Sequence, residues 1–518
     1  MNPEPKRHDC PYPGMRPFEL SESHLFFGRD GQSDELIERL GRTRFVTIIG
    51  TSGSGKSSLL RAGLLPALMG GMMGESGSNW RIAILRPGND PIGHLAGALC
   101  QESFLDTDRN FELAIVNAAL RRGSRGLVEV VQQRSARADE NLLIVVDQFE
   151  ELFHFRAASE KGSAQEEAAG FVKLLLEAAN QPEIPIYVAL VLRSDFIGDC
   201  SVFWGLPEAI NNGLFSIPRM TRDQLREAIF GPLTVSGGSI TPQTVNRLLN
   251  DVGDNSDQLP ILQHALMRTW QSWRASGGPA VDLEHYKAIG TMSESLSQHA
   301  DEAYNELSDE DQRIAERLFK ALTERAADNR DISRPTTIDQ LCAIAEATPN
   351  EVATVIETFR REDRSFLMPP PGVTLGPDTL IDISHESLIR NWSRLRGWVE
   401  EESRSARIYK RLAETATYYQ AGQAGLWQGP DLEVALRWRE QTKLNETWAR
   451  RYHPEFATAR TFLEESVRAQ DARAQDARLL ESARHRRRGI KISWLTALLI
   501  VFLASLTVLG LIIVYKRL

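Results

Sequence analysis

The stretch Phe45–Leu60, FVTIIGTSGSGKSSLL, decides the fold. Phe45–Ile49 is a short unbroken apolar run, the pattern of a strand buried on both faces. It stops at Gly50, a Gly/Ser turn follows, and Ser58–Ala62 reads as the opening of a helix. Gly50, Gly55, Lys56 and Ser57 have the spacing G-x-x-x-x-G-K-[ST], in the strand–turn–helix setting that this motif requires. Glycines at 50, 53 and 55 let the backbone of Thr51, Ser52 and Ser54 curl so that its N–H groups face phosphate oxygens. The helix start at Lys56, Ser57 and Ser58 adds a dipole and free N–H groups. In this chemistry Lys56 reaches the β- and γ-phosphates and Ser57 offers its hydroxyl to Mg2+. The expected ligands are therefore ATP or ADP with Mg2+. A Gly/Ser surface loop with an incidental lysine would not sit between a strand and a helix at this spacing.

Working outward, Leu142–Asp147, LLIVVD, is a second apolar strand, and it ends in an acid. A carboxylate at the C-terminal edge of a parallel strand can hold Mg2+, which assigns Asp147 to the metal. Glu150 and Glu151 follow. Either can activate the attacking water, with Glu150 slightly favoured, or simply favour the next helix's N-terminus. Ile186–Leu192 is a third buried strand, followed by Arg193. That arginine either senses the γ-phosphate or pairs with Asp195 or Asp199. Trp80–Leu85 and Leu214–Pro218 complete a set of strands alternating with helices. This predicts a doubly wound parallel α/β domain over residues 25–220. Phe27, Gly28 and Arg29, just before the first helix, either line an adenine pocket or pack against that helix.

Residues 1–24 are rich in Pro and polar residues and read as an extended lead-in. Helical patterns over 221–305 predict a small subdomain closing over the nucleotide. Pro260 there is ordinary helix-start chemistry, and His264 reads as a core or surface histidine. Three helices and a β-hairpin over 306–404 predict a winged helix. Its third helix mixes Glu351, Glu357, Glu362 and Asp363 with Arg360, Arg361 and Arg364. That is no basic recognition face, so no specific nucleic-acid partner is expected. Residues 405–470 read as helical, with Trp427, Trp438, Trp448 and Phe462 as core anchors. Residues 471–491 are either a charged helical stalk or a basic tether near anionic lipid.

Ile492–Tyr515 carries no charge over about 24 residues, long enough to cross a hydrocarbon core. Trp494 and Tyr515 stand near its ends. Arg484, Arg486, Arg487, Arg488 and Lys491 outweigh Lys516 and Arg517, so the positive-inside rule leaves the N-terminal bulk in the cytoplasm. The expected location is a single pass in the inner membrane, in contact with lipid.

The chain has 518 residues, a net charge of −9, and four widely spaced cysteines. Its length suits several domains. The charge argues against bulk attraction to nucleic acid. The cysteines form neither a metal motif nor a disulfide framework, and the N-terminus has no apolar signal-peptide core.

The strings CPYPGMRPF, FFGRD, GTSGSGKSSLLRAGLLPAL, LLIVVDQFEELF, LVLRSDF, LPILQHAL and DISHESLIRNWSRLRGW, in that order, resemble the bacterial STAND NTPases. The likeness is to the novel STAND NTPase 1 group, relatives of the NACHT and apoptotic-ATPase switches, and covers residues 10 to about 400. It implies that Phe27, Gly28 and Arg29 form the adenine-side motif and that Pro260 contacts nucleotide. It also implies that His385 touches the ADP β-phosphate and that Arg193 is a sensor. The function implied is a slow ATPase and signalling switch, closed with ADP and self-associating with ATP, its trigger and downstream effector unnamed by the sequence. Such switches often serve stress or phage defence. Gln148 replaces an acid common in the wider family. A non-hydrolysing nucleotide-binding membrane scaffold is the second expectation, and a winged-helix DNA-binding regulator the third.

Overall fold

The computed structural model describes residues 10–74, 77–100, 109–134, 140–157, 163–182, 184–253, 258–325, 330–442 and 445–515. Residues 1–9 of the lead-in, and Lys516 and Arg517 at the C-terminus, lie outside them. The chain divides into two compact units, one ending at Val399 and one beginning at Glu400.

The first unit is built on five strands: β1 (Phe45–Gly50), β2 (Trp80–Leu85), β3 (Asn141–Val146), β4 (Ile186–Arg193) and β5 (Leu214–Ser216). Their order is β2-β3-β4-β1-β5, and every neighbouring pair is parallel. Side chains alternate between faces along each strand, and both faces are apolar. Phe45, Ile49, Ile144, Val146, Val188 and Leu190 pack with Leu95, Leu120, Phe171 and Leu175 of the helices on one side. Val46, Ile48, Leu143, Val145 and Ala189 pack with Leu36, Leu40, Leu60 and Leu64 on the other. The sheet is thus covered on both faces, as a parallel sheet requires. Register matters for the site: Gly50 pairs with Arg193, so the phosphate-loop motif and the end of β4 emerge side by side.

Two local features depart from the sequence reading. Leu20–Leu25 is a 3-10 helix rather than extended chain, and Tyr12, Met15 and Phe18 are buried. The Pro-rich composition hid these three anchors; Tyr12 sits in the helical core with Leu225, Ile229 and Met267, its hydroxyl donating to Ile229 O. The helix after the phosphate loop is also irregular. It is α over Lys56–Ser58, π over Leu59–Leu64 and α again over Leu65–Met69.

After the sheet come helices Arg222–Val235, Pro242–Val252, Leu259–Ser276, Leu283–Ala288 and Thr291–Asn305. Helices Asp309–Ala321, Ile338–Ala345 and Pro349–Arg360 follow, with a three-stranded antiparallel sheet of Thr336–Thr337, Leu380–Ile383 and Leu367–Met368. A further hairpin, Thr323–Arg325 with Asp331–Ser333, has strands too short to register as a sequence pattern. The helical segment after the strand Leu380–Ile383 is interrupted. It is helical over Ser387–Asn391 and resumes at Ser393. Trp392 at the break is fully buried. Its ring meets Phe319, Phe359 and Trp398 edge-on or tilted, and its Nε1 donates to Asp301 at 3.0 Å. Seating that indole takes precedence over helix continuity.

The second unit is helical: Gly429–Gln441, Glu446–Arg450 and the 60-residue helix Phe456–Tyr515 follow the end of the helix that closes at Gln420. Glu402 accepts from Trp448 Nε1 at 2.6 Å and Tyr452 OH at 2.7 Å. Trp438, Trp448 and Phe462 are buried as expected, whereas Trp427 is only half-buried. Trp494–Ile513 is long and apolar enough to cross a membrane and buries nothing within the chain. The helix is continuous through 471–491.

Candidate functional site

A cavity of about 550 Å³ lies over the C-terminal edge of the sheet. That volume suits a small-molecule ligand. Its floor is the turn after β1. Gly53 and Gly55 have φ of +78° and +89°, the left-handed region that glycine enters without steric cost. Lys56 Nζ lies 3.0 Å from Gly50 O and 2.8 Å from Thr51 O. Burial lowers its pKa, opposed by the nearby Glu150. Ser52, Ser57 and Ser58 also line the cavity. Ser58 Oγ accepts from Phe18 N at 3.2 Å.

Ser57 Oγ donates to Asp147 Oδ1 at 3.0 Å. Asp147 is 1% exposed and follows β3 directly; Gln148, with φ of +56°, turns the chain away from it. A hydroxyl and a carboxylate brought together beside a phosphate loop are the hard oxygen donors that Mg2+ prefers. These two residues therefore fit the metal; when bound, it would offset phosphate charge.

Glu150 and Glu151 separate in space. Glu150 Oε2 accepts from Arg193 N at 3.3 Å, and burial raises its pKa. Glu151 Oε2 accepts from Gly88 N at 3.0 Å and opens the helix Glu151–Ala157. Burial pushes its pKa up to about 7 against the pull of Arg86. Glu150 thus faces the lysine and Arg193, while Glu151 faces the end of β2.

Arg193 is placed at the cavity and also engaged in ion pairs. It lines the cavity, and it is paired: Nη2 with Asp195 at 2.8 Å and Nη1 with Glu386 at 2.5 Å. Burial works against its charge, but Glu386 and Asp195 outweigh that and raise its pKa. Of the two acids offered for it by the sequence, Asp195 is the one it pairs with among the described contacts, and Asp195 also pairs with Arg330.

Of the remaining predicted residues, Phe27, Arg29, Pro260 and His385 line the same cavity. Arg29 is 5% exposed; it donates to Ser54 O at 2.8 Å and Pro218 O at 2.7 Å, and burial lowers its pKa to about 10. Phe27 lines the cavity with its ring against Gly231, where an added Cβ would come within 2.4 Å of it. Gly28 likewise lies under Gln224 O. Phe27 and Gly28 thus pack on the helix Arg222–Val235, while Arg29 also donates to Gln32 Oε1 of the first helix at 3.3 Å. Pro260 also lines the cavity. His385 lines it too. Its Nδ1 accepts from Ser387 N at 3.1 Å, and burial lowers its pKa to about 3, so it is neutral. His264 is a core histidine, bonded to Ser295 and His299.

Sequence reasoning missed several members of this site. Glu386, Arg330, Arg86 and Asp382 line the cavity. Asp382 pairs with Arg86 at 3.8 Å and accepts from Ser333 Oγ. Only Glu386 carried a signal, through its place beside His385.

A parallel sheet with a glycine loop, lysine and serine at the end of β1 and an acid after β3 defines a P-loop NTPase. The chain belongs to the novel STAND NTPase 1 family, whose model matches residues 11–425. No curated protein sequence matches the chain. Among solved structures it is similar to the ORC2 protein of Aeropyrum pernix in ADPNP–ADP complexes, at 13% identity, 72% of this chain, 94% of that one and a TM-score of 0.42. It is also similar to Cdc6p of Pyrobaculum aerophilum (14%, 72% and 94%, TM-score 0.32). A third likeness is to the Drosophila ORC bound to DNA (12%, 78% and 96%, TM-score 0.34).

Proposed function

We propose that this protein is an ATP-binding signalling switch that hydrolyses ATP slowly and is anchored in the inner membrane. One observation carries the reading. Arg193, beside the phosphate loop, is bonded to Glu386, next to His385 in the segment that follows the antiparallel strand Leu380–Ile383. A γ-phosphate at Lys56 would compete for that arginine, so nucleotide state would bear on the contact between the sheet and the distal part of the same unit. In this reading Lys56 holds phosphate, Ser57 and Asp147 hold Mg2+, and Glu150 orients the water. Phe27, Gly28, Arg29 and Pro260 flank the base, and His385 meets the β-phosphate of ADP.

Residues 306–404 act as a winged helix serving as the moving element rather than as a DNA reader. The arginines at and just past the end of its third helix support this: Arg360 pairs with Glu357, Arg361 with Asp363 and Glu306, and Arg364 with Glu306. ATP binding releases the element and allows self-association, and Trp494–Ile513 holds the assembly in lipid. Stress or phage defence is the setting in which such a switch would serve. The direct test is binding of fluorescent ADP to the detergent-solubilised chain. Lys56→Ala should abolish binding; unchanged affinity would refute the site.

A further inference from the structure

Arg61 has no place in the chemistry above, yet it reaches the proposed metal carboxylate. It lies four residues after Ser57, on the same side of the helix, within the π-helical turn Leu59–Leu64. Such turns are uncommon and often fall at functional sites. Arg61 Nη2 is 3.5 Å from Asp147 Oδ2, while Asp147 Oδ1 takes the Ser57 hydroxyl. Both oxygens of this buried carboxylate are therefore oriented from one helix. Arg61 Nη1 makes a closer contact in the other direction, to Glu19 at 2.8 and 3.0 Å.

Glu19 belongs to the segment that crosses the start of this helix. Its backbone N–H donates to Glu22, which pairs with Arg16. The neighbouring Phe18 N–H donates to Ser58 Oγ. The segment is thus clipped to the metal-site helix at two successive points, Ser58 and Arg61.

We propose that Glu19 is a positioning residue that tunes Asp147 for its metal ion by holding Arg61. This rests on the assignment of Ser57 and Asp147 to Mg2+ and nucleotide. A guanidinium beside a carboxylate opposes the arrival of a divalent cation, because like charges repel in a poorly solvated site. Glu19 is the nearer partner and offsets that charge. Arg61 can then orient Asp147 without neutralising it. Glu19→Gln keeps the side-chain shape but removes the charge, so Arg61 closes on Asp147 and competes with the metal. Removing both groups removes the competition.

The experiment titrates Mg2+ into the full-length chain in detergent with fluorescent ADP, for wild type, Glu19→Gln, Arg61→Gln and the double variant. Affinity for ADP in chelator should be alike in all four. Outer-shell partners of a metal typically shift its affinity 10–100-fold, so Glu19→Gln should raise the half-saturating Mg2+ about tenfold and the double variant should return it to within about threefold of wild type. Arg61→Gln alone should match wild type or bind Mg2+ more tightly. A Glu19→Gln protein indistinguishable from wild type overturns the proposal, as does a double variant as weak as the single. Should Glu19→Gln fail to fold by circular dichroism, Arg61→Gln decides: weaker Mg2+ binding there overturns it. A wild type that binds no ADP, or binds it with no response to Mg2+, instead overturns the nucleotide or metal assignment beneath it.

Discussion

Two adjacent glutamates show how position along the chain gives way to position in space. Spacing separates Glu150 and Glu151 only slightly, but the backbone points them at different partners. Glu150 meets Arg193 N and Glu151 meets Gly88 N. Glu150→Gln should therefore lower phosphate release at least about 100-fold with ADP binding intact, the range expected for loss of a general base. Glu151→Gln should retain most turnover; equal losses in both would remove the distinction. Glu151 also predicts a pH effect. Its folded pKa, raised by burial to about 7 from the ordinary carboxylate value of about 4.5, means that the folded state binds the extra proton. Its stabilising contribution is therefore complete below about pH 4.5 and is lost as pH rises through about 7. The thermal stability of Glu151→Gln should gain on wild type as pH rises across that window, and a pH-independent difference would contradict the assignment.

At the scale of elements, what the sequence made legible follows from periodicity and motif. The strands β1 to β4 are apolar on both faces because helices cover both, and their ends were readable to within a residue or two. The phosphate loop was readable because its chemistry needs fixed spacing within one short segment. Contacts between distant segments leave no such trace. Arg193 and Glu386 are 193 residues apart, and neither neighbourhood names the other. The π-helical turn, the two- and three-residue strands, and the buried Tyr12 in a Pro-rich stretch were hidden for a related reason: packing, not local propensity, sets them. The Arg193–Glu386 contact yields a prediction of its own. A hydrogen bond between charged groups contributes about 1.5–3 kcal/mol. If this contact restrains the ADP-bound arrangement, Glu386→Gln should speed ADP release by about tenfold or more, measured by stopped-flow displacement. An unchanged or slower release would contradict that role.

For the whole molecule, the family is established over most of the length, and what lies past residue 425 bears on location and assembly. The helix Phe456–Tyr515 joins an exposed, highly charged stretch to an apolar one. A helix that is apolar on every face finds its partner in lipid or in other copies rather than in water. The full chain should sediment with membranes after lysis and leave them only in detergent; a soluble chain with Trp494–Ile513 open to protease would refute the anchor. The central claim is that nucleotide identity sets the assembly state. Its most direct measurement is the mass of the detergent-solubilised chain with ADP and with a non-hydrolysable ATP analogue, beside Lys56→Ala. A defined oligomer with the ATP analogue only, absent in Lys56→Ala, is the result expected of the switch. One mass in all three conditions would contradict it and favour a nucleotide-binding scaffold.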